Sequence, residues 1–258
     1  MRLALGVEYD GGRFAGWEDQ PGQRTVQGSL EASVSRVADH PVRIICAGRT
    51  DAGVHAWGQV VHFDTSAPRD ERAWLLGGNA NLPEDVSVAW VRPVPDDFDA
   101  RRSARRRHYR YLIYNHALRP ALLRERVCWE CRPLDTERMQ AGASFLLGEH
   151  DFSAFRAAAC QARSPVRRVE WLDVARRGRL VAVDVVANAF LHHMVRNIAG
   201  VLMAIGLGKE PPDWAREVLE GRDRRLGGVT APPQGLYLVG VEYPERFGVP
   251  PVPPPAWL

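Results

Sequence analysis

Long hydrophobic runs are absent from this sequence of 258 residues. The longest nearly apolar stretch, 198–208, ends before Lys209 and is far shorter than the ~20 residues that a helix needs to cross a bilayer. Near the amino terminus only residues 3–7 separate Arg2 from Glu8, which is too short for the apolar segment of a signal peptide. These absences predict a cytoplasmic protein that does not span a membrane.

Cysteine is scarce, with 4 residues. Cys128 and Cys131 form a single C-x-x-C pair, and no second pair lies at the spacing of a zinc site. We therefore predict reduced, half-buried thiols in a cytoplasmic protein, with no metal bound by this pair. A metal or redox role for the pair is the less favoured alternative.

Lysine is almost missing: Lys209 is the only one, so arginine supplies the rest of the 34 basic residues. The guanidinium group suits phosphate contacts and base stacking. Between Arg101 and Arg110 lie six arginines, one histidine and no acid. This pattern is typical of nucleic-acid-binding surfaces, although a basic run is more often only a solvated face and genome composition also favours arginine.

The hydrophobic pattern alternates between strand and helix periods. Residues 2–9 alternate with period two, which indicates a strand. Thr25 is placed to cap a helix with an apolar stripe at Val26, Leu30, Val34 and Val37. Further strands are predicted at 42–46, 59–63, 86–91, 108–114, 168–174, 180–186 and 236–243, with further helices at 135–148 and from Leu191 onward.

Segregated strands and single helices favour an α+β fold with antiparallel or mixed sheets over a doubly wound parallel sheet. No G-x-G-x-x-G motif follows a strand, so a dinucleotide-binding site is not predicted. Residues 48–53 have the G-x-x-x-x-G spacing of a phosphate-binding loop. However, Val54 and His55 follow it, where such a loop needs Lys and then Ser or Thr. The length predicts one large or two modest domains. We predict domains at 1–100 and 101–246 and a proline-rich tail at 247–258.

The segment 46–56 is a loop of small residues between two predicted strands, and Asp51 is the charged group at its centre. Glycines on both sides allow close approach of the backbone. A carboxylate beside Arg49 is expected to stay ionised, which suits a nucleophile or base better than a proton donor. Taken without its context, such an aspartate is more often a turn residue.

The string Arg-Thr-Asp-Ala-Gly-Val-His at 49–55 resembles the catalytic loop of the TruA family of tRNA pseudouridine synthases. Other segments resemble the same family in order over nearly the whole chain: 9–17, 58–63, 98–101, 109–111, 150–155, 190–200 and 235–239. One loop can recur by chance, but this ordered set is highly specific. The more basic segment 105–108 and the proline-rich tail depart from the family pattern.

The resemblance implies isomerisation of uridine to pseudouridine at positions 38, 39 and 40 in the anticodon stem-loop of tRNA. Asp51 would be the essential nucleophile, acting on the ribose or on the base. Tyr109 would stack on the flipped target base, Arg196 would pair with the aspartate, Arg49 would help to extrude the nucleotide, and Leu236 would wall the base pocket. From the residues alone, Tyr109 and Leu236 fit a core equally well, and Arg49 can simply pair with an acid.

The resemblance also implies two ferredoxin-like domains with the pseudouridine synthase fold, a homodimer with a basic cleft between subunits, and no cofactor. His55, His192 and His193 could mimic a metal cluster, but the family has no known metal site, so we predict structural roles for them. Two rival functions stay open: a catalytically silent RNA-binding protein, against which the intact Asp51 loop argues, and a hydrolase with a carboxylate nucleophile, which lacks a second carboxylate motif.

Overall fold

The computed structural model describes residues 1–251 and 253. Within them the strands are β1 (Arg2–Tyr9), β2 (Ile45–Cys46), β3 (His55–Asp64), β4 (Val86–Val94), β5 (Arg106–Asn115), β6 (Cys128–Glu130), β7 (Gly148–Asp151), β8 (Val166–Arg177), β9 (Leu180–Ala187) and β10 (Leu236–Glu242). The α-helices are α1 (Val26–Ala38), α2 (Glu71–Asn81), α3 (Thr136–Ser144), α4 (Met194–Gly206) and α5 (Trp214–Gly221). The α+β prediction is confirmed. No helix among the described residues is long and apolar enough to cross a membrane.

The chain divides into two compact units. Unit 1 contains 1–107 together with the described residues from Tyr237 onward, and unit 2 contains 108–236. The sequence predicts a boundary near residue 100 and the end of the second domain at 246, and that division stays a prediction. Of the predicted tail, Phe247 is buried in the core of unit 1, whereas residues 252 and 254–258 lie outside the described part of the chain.

Unit 1 has the split β-α-β topology of ferredoxin-like folds. Its strand order is β4-β1-β3, and β2 pairs with the carboxyl-terminal part of β3. All of these strand pairs are antiparallel. α1 connects β1 to β2, and α2 connects β3 to β4. β10 adds a parallel strand beside the start of β3, where Tyr237 and Leu238 pair with His55 and Ala56.

Local sequence signals explain α1. The Thr25 side chain accepts a hydrogen bond from the N–H of Gly28, as the predicted cap requires, and Val26, Leu30 and Val34 are buried. The predicted strand 42–46 is shortened to β2 because Glu31 and Ser35 of α1 accept the backbone N–H groups of residues 44 and 42. Those donors are therefore not available to a neighbouring strand.

Unit 2 repeats the succession strand, helix, two strands, helix with β5, α3, β8, β9 and α4. Its strand order is β5-β9-β8-β7, with β6 beside β5. The predicted hairpin is confirmed, because β8 and β9 pair antiparallel around a turn at Gly178, whose φ is +60°. Asp135 caps α3 by accepting from the N–H groups of Glu137 and Arg138, as its position predicted.

Candidate active site

Asp51 lies in unit 1, half-buried, on the loop between β2 and β3. Its carbonyl accepts the N–H of Val54 at 3.1 Å, which closes a turn, and Gly53 within that turn has a φ of +78°. Asp51 is thus both a turn residue, as the residue pattern suggested, and the charged group presented by the loop. The turn sets the direction of the chain into β3.

A buried amide holds the start of this loop. Gln59 of β3 is fully buried and donates its side-chain N–H to the carbonyl of Gly48 at 2.6 Å. Its side-chain oxygen accepts the N–H of Gly48 at 3.4 Å. A buried amide N–H or oxygen without a hydrogen-bond partner destabilises the fold. Because both groups of the Gln59 amide bond Gly48, they favour a single position of the loop.

Thr50 fixes the residue directly before the candidate nucleophile. Its hydroxyl lies 2.7 Å from the hydroxyl of buried Tyr9, and its carbonyl accepts the N–H of Trp17 at 2.9 Å. Gly16 passes so close that a Cβ there would lie 3.0 Å from the carbonyl oxygen of Thr50, and its φ of +104° also favours glycine. The segment 9–17 therefore supports the loop directly.

His55 fixes the other end of the loop. Its Nδ1 accepts the N–H of Gly11 at 3.0 Å, and its ring stacks on Tyr237 with centroids 4.7 Å apart. A Cβ on Gly11 would lie only 1.9 Å from the carbonyl oxygen of Val54. The structural role predicted for His55 accords with these contacts.

Arg107 makes a contact that the basic run did not reveal. It is buried, and its guanidinium donates to the carbonyl of Ala47 at 3.0 Å and to the carbonyl of Arg101 at 2.6 Å. Ala47 directly follows β2 and begins the loop. One arginine of the basic run therefore holds the backbone that leads to Asp51.

Arg49 is exposed and forms an ion pair with Glu18 at 2.7 Å. From the sequence, its charge is expected to act on Asp51, or the residue simply pairs with an acid. The acid that it pairs with is Glu18.

Cys46, the last residue of β2, is also buried. Burial raises the pKa of its thiol to about 12, so this thiol stays protonated at neutral pH.

Unit 2 contains the other three predicted site residues. Tyr109 lies on β5, is buried, and packs against Phe190 in an edge-to-face arrangement with centroids 4.9 Å apart. Leu236 is buried at the start of β10. Both positions satisfy the core interpretation from the sequence, so their roles toward a base stay predictions.

Arg196 lies in the first turn of α4 and is half-buried. Its Nε–H donates to the carbonyl of Ala231 at 2.8 Å, and its own carbonyl accepts the N–H of Ala231 at 3.1 Å. The next residue, Asn197, is buried, donates to the carbonyl of Phe155 and accepts from Thr230 at 2.7 Å. These bonds fix the start of α4 and hence the base of the Arg196 side chain.

The predicted C-x-x-C pair consists of two unlike thiols. Cys128 is buried and Cys131 is exposed, and both are free. Burial raises the pKa of Cys128. Since metal ligation and disulfide exchange both need the thiolate, this environment opposes those roles.

The sequence motif singles out Asp51 and Arg49 on one loop but not the residues that hold the loop. Gln59, Tyr9 and Arg107 are these residues. Gln59 and Tyr9 lie in segments that carry the family resemblance, whereas Arg107 lies in the segment 105–108 that departs from it. A signal was present in part, because the mostly apolar predicted strand 59–63 begins with an amide, Gln59. For Arg107 the signal is its register, because it lies two residues before Tyr109 and so shares the buried face of β5.

Known proteins resemble this chain over most of its length. The family model described as tRNA pseudouridine synthase matches residues 6–101 and 143–244. Proteins called "tRNA pseudouridine synthase A" are 58% identical in Alcanivorax borkumensis, covering 100% of this chain and 97% of the relative, and 61% identical in Methylococcus capsulatus, covering 96% and 92%. The protein of that name from Pseudomonas aeruginosa is 58% identical, covering 96% and 88%.

The chain therefore belongs to the tRNA pseudouridine synthase family, as the resemblance predicted. Pseudouridine synthases are isomerases, and this protein is an enzyme of that class. A chain in a crystal structure of a Cbf5-Nop10-Gar1 complex aligns with 78% of this chain, over 45% of its own length, at 14% identity and a TM-score of 0.35, which is too weak a likeness to bear on this protein.

Proposed function

We propose that this protein converts uridine to pseudouridine at positions 38, 39 and 40 in the anticodon stem-loop of tRNA, with Asp51 as the nucleophile. The observation that carries the proposal is the support of the Asp51 loop. Gln59 bonds both backbone groups of Gly48, and Arg107 bonds the carbonyl of Ala47, so buried donors fix the chain before the carboxylate. Fixed placement of a reacting group lowers the entropic cost of reaching the transition state.

The reaction is an isomerisation, so no atom is gained or lost overall. The bond between the ribose C1′ and N1 of the base breaks, the base turns, a bond forms between C1′ and C5, and the proton on C5 leaves to water while N1 gains one. A carboxylate nucleophile can take the bond to C1′ temporarily, or add to the base, and both routes stay open. Neither needs a metal or a cofactor.

The target uridine has to leave its stack before Asp51 can reach it. Flipping costs a few kcal/mol, and an aromatic face compensates part of the lost stacking. Tyr109 is proposed for that role. The roles that the resemblance gives to Arg49, Arg196 and Leu236 belong to the same proposal, as do a homodimer and a cytoplasmic location.

The test uses unmodified tRNA transcripts with tritium at C5 of uridine. The wild-type protein is expected to release the label to water, and transcripts with cytidine at 38, 39 and 40 are expected to release none. Asp51→Asn keeps the shape of the side chain and loses its charge, so release should fall to below about a hundredth while tRNA binding persists.

Asp39→Asn is the matched control, because Asp39 is an exposed acid in the left-handed region, with a φ of 59°, that asparagine tolerates. It should release tritium at the wild-type rate. A wild-type protein that binds tRNA and releases no label would support the silent RNA-binding alternative. Release by Asp51→Asn above about a hundredth of the wild-type rate would remove Asp51 as the nucleophile.

A further inference from the structure

The structure divides the six arginines of the basic run into two groups. Three of them have partners within the protein: Arg107 bonds backbone carbonyls, Arg106 pairs with Glu242 at 3.1 Å, and Arg110 donates to Asp184 at 2.7 Å. Their charge is at least partly neutralised or buried. The run is therefore not one uniform surface.

The other three arginines are Arg101, Arg102 and Arg105, and their side chains are exposed. We call residues 99–105 the arginine turn. Within the described part of the chain, the guanidinium groups of these three residues make no hydrogen bond or ion pair. Three neighbouring charges thus face solvent from one short segment.

The arginine turn is rigidly built. Oδ1 of Asp99 accepts the N–H groups of Arg101 and Arg102 at 2.9 and 2.8 Å, and the Asp99 carbonyl accepts the N–H of Ser103 at 2.8 Å. Although burial acts to raise it, these backbone donors lower the pKa of Asp99, so its carboxylate stays charged and holds the turn.

Buried and half-buried residues of unit 1 also anchor the arginine turn. The hydroxyl of Tyr243 donates to the carbonyl of Ala100 at 2.6 Å, the N–H of Ala100 donates to Nδ1 of His62 at 3.0 Å, and Phe98 is fully buried. Because the backbone of the turn is already ordered, a ligand that binds there does not bear the entropic cost of ordering it, which favours affinity.

The nearby acids form their hydrogen bonds and ion pairs with other groups, although the charge of Arg102 also helps to lower the pKa of Asp99. Asp97 pairs with Arg246 at 2.9 Å, Glu242 pairs with Arg106, and Asp99 accepts from backbone N–H groups. The ligand that fits is consequently an external anion. Planar guanidinium groups on a fixed backbone suit phosphate oxygens that are spaced along a chain.

We propose that Arg101, Arg102 and Arg105 form a binding site for the phosphodiester backbone of the tRNA, and that Arg106, Arg107 and Arg110 do not contribute to it. This inference rests on the proposed function for the identity of the RNA. The site binds backbone phosphates and is independent of base sequence, so it increases affinity for every tRNA substrate alike.

The experiment measures the dissociation constant of the full-length protein for an unmodified tRNA transcript over a series of salt concentrations. Each phosphate contact contributes roughly 0.7 to 0.9 to the slope of log K against log salt. The triple variant Arg101→Gln, Arg102→Gln, Arg105→Gln should therefore reduce the slope by about 2 to 3. The triple variant with lysine at the same positions should keep most of the slope, because the charges remain.

Arg106→Gln is the matched control, since it removes one arginine of the same run that already has an internal partner, and its slope should equal that of the wild type. An unchanged slope in the glutamine triple variant, or an equal loss per charge in Arg106→Gln, would overturn the inference. Failure of the proposed function gives a different result, because wild-type protein would then release no tritium from tRNA whatever the salt slopes are.

Discussion

Gln59 hydrogen-bonds both backbone groups of Gly48, three residues before the candidate nucleophile, from a position in β3 with no solvent exposure. The short bond is the one in which the amide N–H donates to the Gly48 carbonyl, at 2.6 Å. A carboxylate in place of this amide cannot donate. The hydrogen bond to the Gly48 carbonyl thus depends on this buried amide donor.

Gln59→Glu should make activity depend on pH in a way that the wild type does not. At low pH the introduced carboxyl group is protonated and donates as the amide did; as pH rises through its pKa, the donor is lost and the loop is destabilised by about 1–3 kcal/mol. Burial raises that pKa toward neutrality. Tritium release from pH 5 to 8 measures the effect, and Gln23→Glu, at an exposed glutamine, is the control. Parallel pH profiles for all three proteins would contradict it.

Gly11→Ala should disturb the loop from its other end. The new methyl group would lie 1.9 Å from the carbonyl oxygen of Val54. Because this oxygen belongs to the backbone, it cannot move aside as a flexible side chain would. We therefore expect a loss of about 1–3 kcal/mol in the free energy of unfolding, together with reduced tritium release. Gly240→Ala is the matched control, because a Cβ there meets nothing within 4 Å. Urea unfolding compares the two variants, and equal stability would show that the clash is relieved elsewhere.

Tyr109 variants separate base stacking from proton transfer. Tyr109→Phe keeps the aromatic face and should keep most of the tRNA affinity, whereas Tyr109→Leu should lose on the order of 1–3 kcal/mol of stacking. If the hydroxyl helps to remove the C5 proton, the Phe variant binds tRNA but releases little tritium. Tyr114→Leu, on the same strand, controls for loss of an aromatic ring. Full turnover by Tyr109→Leu would assign Tyr109 to the core only.

Asp184→Asn should change the stability of unit 2 with a defined dependence on pH. Burial acts to raise the pKa of Asp184, but hydrogen bonds from His108 and Arg110 outweigh it and lower the pKa below its usual value. The charged carboxylate therefore stabilises the fold above its unfolded pKa of about 3.9, and this contribution disappears as pH falls through the lower folded value.

At pH 7 we expect Asp184→Asn to lower the free energy of unfolding by about 1–3 kcal/mol. The reason is that His108 and Arg110 would then face a neutral amide instead of a charged carboxylate. The difference from wild type should shrink as pH falls below 4. Denaturant melts at several pH values check this, with exposed Glu149→Gln as the control. A difference that is constant from pH 7 to 3 would remove the charge of Asp184 as its cause.

Elements with strong local signals could be predicted from the sequence. The Thr25 and Asp135 caps, the period of β1 and the hairpin of β8 and β9 all follow from neighbouring residues. α2 was missed because it buries only Trp74 and Gly78 and so has no apolar stripe. The helix predicted from Leu191 begins at Met194, after His193 takes a left-handed φ of 63°.

The candidate site shows the same division between local and distant causes. The motif 49–55 singles out Asp51, because a family string is a local property of the sequence. The support by Arg107 depends on a contact between residues 60 positions apart, and pairing of Arg106 with Glu242 spans 136 positions. Such contacts decide which arginines of a basic run are available to a ligand, and only the folded chain establishes them.

Unit 1 is assembled from two stretches of chain that are separated in the sequence by all of unit 2. During translation the ribosome releases the Asp51 loop early, but β10, the Tyr237 ring that stacks on His55, and the buried Phe247 emerge only after unit 2. A nascent chain that stops before Tyr237 carries every residue proposed for the chemistry and still lacks the strand beside the start of β3. Completion of the loop's surroundings is thereby delayed until all of unit 2 has been synthesised.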